Sequence, residues 1–144
     1  MKPIKIINKQ MDKAKKKILI IDDEVDICQV FKDLLEFEDV RGYEVEYVTT
    51  AEEGIEKLES GQYSVLFVDI KLGGTISGID IIKRARGFIH RPIIIVISAI
   101  PGSALEPIFL KEGVKDLIYK YYEKTDSLTP DVVLKIIQNL MQQL

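Results

Sequence analysis

The chain has 144 residues, 47% of them hydrophobic and 30% charged, enough for one domain around a single packed core and unlike disordered or fibrous sequences. A net charge of −3 leaves no whole-chain footprint for nucleic acid, the longest apolar run (PIIIVISAI) is about half the roughly 18 residues of a membrane span, and one cysteine, Cys28, excludes an internal disulfide. Charge is uneven, however, because residues 1–17 hold seven lysines against Asp12. Residues 1–16 are therefore read as a solvated basic arm and residues 17–144 as the folded domain.

Five strand-like runs follow in chain order: KILIID (17–22), YEVEYVT (43–49), YSVLFVD (63–69), PIIIVIS (92–98) and KDLIYK (115–120). Between the first two, Ile27, Val30, Phe31, Leu34 and Leu35 recur at helical spacing. Thr50 and Glu53 form a capping-box pattern ahead of Ile55 and Leu58, and Ile79, Ile82 and Ala85 predict a third helix ending near Gly87. A fourth, over roughly 103–112, is expected to be short or irregular because Pro107 lies inside it. Thr129 and Pro130 open the last helix, whose apolar face is Val133, Ile136, Ile137, Leu140, Met141 and Leu144.

Strands alternating with helices predict right-handed crossovers and a parallel sheet covered on both faces. The second strand alternates Glu44 and Glu46 with Val45 and Tyr47, as an edge strand does.

A parallel sheet gathers the residues that close its strands along one edge, where such folds bind ligands. Here these are Asp22 and Asp23 after the first run, Asp69 after the third, Ser98 after the fourth and Lys120 after the fifth. Singly, each could be a helix cap or a solvated side chain. Together, three carboxylates within several ångströms repel, and a bound cation resolves the conflict. Carboxylates with a backbone carbonyl suit Mg²⁺, Lys120 and Ser98 could hold phosphoryl oxygens, and Asp69 could attack phosphorus to form an acyl phosphate.

IIDDE (20–24), LFVDI (66–70), IS before Ala99, and EGVKDLIYK (112–120) occur in the order and at the spacing of one family. Over about 17–143 the chain resembles the receiver domains of two-component response regulators, the chemotaxis regulators among them. The resemblance implies a flavodoxin-like doubly wound α/β fold with five parallel strands in the order 2-1-3-4-5 and five helices. It implies Asp69 as phosphoacceptor and as one of the Mg²⁺ ligands, Asp23 as direct Mg²⁺ ligand, Asp22 as a ligand largely through water, and the Lys71 carbonyl as a further ligand. Ser98 would be the switch hydroxyl and Lys120 the lysine bridging to the phosphoryl group.

A sensor histidine kinase or phosphotransfer protein would supply the phosphoryl group, and a downstream protein would receive the signal. The domain is expected to stand alone in the cytoplasm, with no direct nucleic-acid binding and no membrane insertion. It would take part in its own phosphorylation and dephosphorylation without being an enzyme otherwise.

The chain departs from the family at several points. Three residues before Lys120, where the family carries its switch aromatic, stands Leu117; after it, in place of proline, stands Tyr121. Gly73 replaces the proline usual four residues after the acceptor, and Gly78 arrives one residue late, which predicts a remodelled loop.

Two other readings compete. One is a receiver-like protein-binding module with altered or absent phosphorylation switching. The other is a phosphatase of the haloacid-dehalogenase type, which needs a second Asp where this chain has Lys71.

Overall fold

The computed structural model describes residues 16–37, 43–125 and 129–142. Of the basic arm only Lys16 falls among them; residues 1–15 and Leu144 lie outside the described residues. In chain order the elements are β1 (Lys16–Ile21), α1 (Val25–Phe37), β2 (Tyr43–Val48), α2 (Ala51–Ser60), β3 (Tyr63–Val68), α3 (Ser77–Ala85), β4 (Ile93–Ser98), α4 (Gly102–Glu112), β5 (Ile118–Glu123) and α5 (Pro130–Met141). The strands pair in parallel in the order β2-β1-β3-β4-β5.

Period-two alternation splits the sheet residues between two cores. On one face Leu19, Ile21, Leu66, Val68, Ile94 and Val96 pack with Leu58 of α2, Ile79 and Ile82 of α3, and Leu105 and Phe109 of α4. On the other Ile18, Ile20, Val65, Phe67, Ile95 and Ile97 meet Cys28, Phe31 and Leu35 of α1 and Ile136 and Leu140 of α5. Each such side chain, once buried, contributes roughly 1.5–3 kcal/mol. The central strands are apolar at almost every position because both their faces are covered.

Local signals account for the helix ends. Thr50 Oγ1 accepts the Glu53 amide at 3.2 Å while its hydroxyl meets Glu53 Oε1 at 3.0 Å, which starts α2 where the capping pattern predicts. α4 covers the expected stretch as one continuous α-helix, neither shortened nor broken. It runs through Pro107, which lies on its exposed side, so the missing amide frees only the carbonyl of exposed Ser103 one turn back.

The entry to β5 differs most from expectation. Lys115–Leu117 form a turn of 3-10 helix, not the start of a strand, and Leu117 is buried within it. Ile118 then pairs with Ile94 but Lys120 with Ile95, so Tyr119 is an extra residue in the ladder. The turn and the bulge together push β5 onward until Glu123 pairs with Ser98.

Candidate functional site

Backbone bonds place the functional residues one step beyond their strands. Asp22 donates its amide to Val48 of β2 at 3.2 Å, Asp69 to Ile21 of β1 at 2.9 Å, and Lys124 to Ser98 of β4 at 2.7 Å. The ladders thus continue just far enough to hold two acids and a lysine at the same sheet edge. Asp22 and Asp69 are buried, and the Lys124 side chain is only 8% exposed.

Lys124 Nζ lies 2.8 Å from Asp22 Oδ2, 3.0 Å from Asp69 Oδ2 and 3.0 Å from Glu24 Oε1. Glu24 is positioned by an Asx-type turn in which its amide donates to Asp22 Oδ1 at 2.9 Å, and its carbonyl caps the start of α1. Burial pushes the Asp22 carboxyl up to about 6, against the pull of Lys124 and the Glu24 amide. Burial also opposes the Lys124 charge, but hydrogen bonds to Asp22, Asp69 and Glu24 outweigh it and raise the ammonium above its usual range.

Beside this ion pair opens a cavity of about 450 Å³ lined by Asp23, Glu24, Asp69, Lys71, Ser98 and Ile100, among others. The buried Ser98 hydroxyl accepts the Ile100 amide at 3.2 Å. The Lys71 amide donates to Asp69 Oδ1 at 3.3 Å while its side chain is exposed. Exposed Asp23 accepts the Gly73 amide on Oδ2 at 3.1 Å. Behind the site Gly78 presses on the backbone: a Cβ there would fall 2.2 Å from the Asp69 carbonyl oxygen. Only glycine fits.

Asp22, Asp23, Asp69, Ser98 and Lys71 are therefore brought together at one edge. Lys120 is not. It lies in mid-strand with Nζ 5.9 Å from the centroid of the Tyr119 ring, and four residues of extended chain, roughly 13 Å, separate it from Lys124. The expectation of Lys120 at the site is corrected to Lys124, because the 3-10 turn and the bulge delay the end of β5.

The same shift corrects the neighbouring positions. Three residues before Lys124 stands Tyr121, whose ring meets Phe109 edge-on at 5.7 Å between centroids and packs beneath Gly102, while Leu117 is core. Thr125, not Tyr121, follows the lysine, and no peptide bond among the described residues is cis. Counting residues back from Lys124 to an aromatic three positions earlier was the signal that sequence reasoning passed over; Glu24, quoted only as part of IIDDE, was the other omission.

A family model described as the response regulator receiver domain matches residues 18–130. The chain belongs to this family. Chemotaxis protein CheY of Thermotoga maritima is 31% identical over 109 residues, 75% of this chain and 88% of that protein. An uncharacterized transcriptional regulatory protein of Bacillus subtilis, YkoG, is 30% identical over 106 residues, 74% of this chain but 45% of YkoG, so the chain spans less than half of that relative. A CheY-like receiver domain protein from Methanospirillum hungatei superposes with a TM-score of 0.70 at 28% identity, covering 89% of this chain and 94% of the other.

For a receiver domain the acidic edge has the right donor chemistry for a hard divalent cation. Carboxylate oxygens of Asp22, Glu24 and Asp69 lie within 4.8 Å of one another, and Asp23 lines the adjoining cavity. Three of these carboxylates, Asp22, Glu24 and Asp69, share the Lys124 ammonium, and burial raises Asp22 by penalising its charge, a cost that a bound cation would relieve.

Proposed function

We propose that this receiver domain is a phosphorylation-dependent signalling switch whose acceptor is Asp69, loaded in a Mg²⁺-dependent reaction by a sensor histidine kinase or a phosphotransfer protein in the cytoplasm. The observation that carries this reading is the placement of Asp69. It is a buried carboxylate at the end of β3, bonded to a buried lysine and opening beside Ser98 onto a cavity large enough for a phosphoryl group.

In the proposed transfer an Asp69 oxygen forms a bond to phosphorus as the P–N bond of a phosphohistidine breaks, its electron pair leaving with the imidazole. Water later cleaves the acyl phosphate, giving inorganic phosphate and restoring the carboxylate. Lys124 follows the charge, as its ammonium already touches Asp69 Oδ2 and can reach an oxygen carried by it. The Ser98 hydroxyl is a second donor at the same wall. Asp22, Asp23, Asp69 and the Lys71 carbonyl, with Glu24 beside them, are the groups that would hold Mg²⁺, which supplies charge neutralisation at the phosphoryl oxygens when bound.

The added phosphoryl charge biases the surface of α4 and β5, where Tyr121 rests against Phe109 and downstream partners can read the change. Asp69→Asn should abolish incorporation of label from acetyl phosphate with Mg²⁺ present. Undiminished acid-labile, hydroxylamine-sensitive labelling of that variant would sink the assignment.

A further inference from the structure

The segment after Asp69 holds a feature that phosphoryl acceptance does not use. Leu72 and Thr75 exchange backbone hydrogen bonds, at 2.8 Å and 3.2 Å, around Gly73 and Gly74 at φ 60° and 84°. Two consecutive positive φ values give the type I′ pattern of a tight hairpin, which glycine adopts without steric cost. Leu72 is buried in the core, and its carbonyl also accepts the Thr75 and Ser77 hydroxyls at 3.2 Å and 3.3 Å, so the turn is fastened from below. From this fixed turn the Gly73 amide donates to Asp23 Oδ2, fifty positions away in the chain. Proline at that position would have no hydrogen to give.

A carboxylate held by one oxygen is oriented through it, and such outer hydrogen bonds set ligand geometry at metal sites. Asp23 and Gly74 both line the cavity that Asp69 enters. We infer that the Gly73 amide is a positioning group for Asp23, holding Oδ2 so that the other oxygen is presented to the cavity, and that it ties the Leu72–Thr75 hairpin to cation binding there. This rests on the reading of the acidic edge as a Mg²⁺ site. By linkage the coupling runs both ways: the hairpin favours the ion, and the ion alters the hairpin.

The test uses the intact protein and Mg²⁺ alone, without phosphodonor. In the wild type the Gly73 amide resonance should shift during Mg²⁺ titration with the same midpoint as calorimetric binding. Gly73→Pro removes the amide hydrogen and, because proline keeps φ at about −65°, also breaks the turn held at φ 60°; it should weaken Mg²⁺ binding about tenfold, whereas Gly74→Ala, which strains the same turn but keeps the Gly73 amide, should stay within about twofold. In an Asp23→Ala background Gly73→Pro should cost nothing further, the sign that Gly73 acts through Asp23. A Gly73 amide that stays still at saturating Mg²⁺, equal losses for Gly73→Pro and Gly74→Ala, or an undiminished loss in the Asp23→Ala background would each overturn the inference while leaving the Mg²⁺ site standing. A wild type that binds no Mg²⁺ at all would overturn both. The amide measurement needs no variant, so it decides the matter even if Gly73→Pro fails to fold.

Discussion

Toward the N-terminal end of the sheet several acids have partners of their own: Glu46 receives Tyr63 and Lys57, Arg84 meets Glu59, and Arg86 grips Asp116. At the C-terminal end Asp22, Glu24 and Asp69 share the single ammonium of Lys124. Both ends are built from the same residue types, yet one is nearly balanced and the other is crowded with negative charge. A balanced cluster is complete in itself, whereas a crowded one is completed by something that binds. The difference sets one edge of the sheet apart from the other without reference to any relative.

Removing the shared cation should break this contrast most severely. Lys124→Ala should lower phosphoryl incorporation from a small acyl phosphate about a hundredfold, the scale expected for loss of a charge-stabilising donor. Lys120→Ala should leave it within twofold, and the reverse ranking would restore the lysine expected from sequence.

Relieving the crowding should sharpen the contrast. The folded Asp22 carboxyl, at about 6, stands above its unfolded value of 3.8, so its contribution to stability is complete below about 4 and is lost as pH rises through about 6. Without Mg²⁺, Asp22→Asn should therefore be more stable than the wild type at pH 7 by about 1–2 kcal/mol, with the gap narrowing to about half at pH 5. Denaturant titrations at the two pH values, chelator present, check this; a wild type more stable than the variant at pH 7 would contradict it.

The smallest effect belongs to the balanced end. Tyr63→Phe removes the bond to Glu46 and should cost about 1 kcal/mol while leaving Mg²⁺ affinity unchanged. Glu46 is held below its usual range chiefly by the Tyr63 hydroxyl, so that stability is present above 4.5 and is lost as pH falls through the lowered value. Tyr63 is raised by burial and by Glu46, so its share is present below 10 and is lost as pH rises through the raised value. Between pH 5 and 9 the cost of Tyr63→Phe should be flat, unlike that of Asp22→Asn, and melting curves across this window compare the two ends directly.

Most of this was legible in the sequence for physical reasons. β1, β3 and β4 are buried on both faces, so their apolar runs announce them, and the acids that close β1 and β3 follow those runs immediately. β5 was misplaced because it is an edge strand with one weak apolar face. Nothing in KDLIYKYYEK distinguishes a 3-10 turn from strand, and a bulge shifts pairing without a compositional mark. Glu24 was underread because its role depends on the length of Lys124, not on its own strand. Gly73 and the late Gly78 predict a remodelled loop, and the structure gives its shape as a hairpin whose amide reaches Asp23.

The bulge at Tyr119 has a bearing on solubility as well as on register. Among the described residues β5 ends the sheet, and no strand pairs with its outer side. An extra residue twists that border out of line, and exposed Lys120 and Glu123 put charge along it, both of which discourage a sixth strand from adding. Lys120, outside the acidic edge, thus adds charge to the border of the sheet.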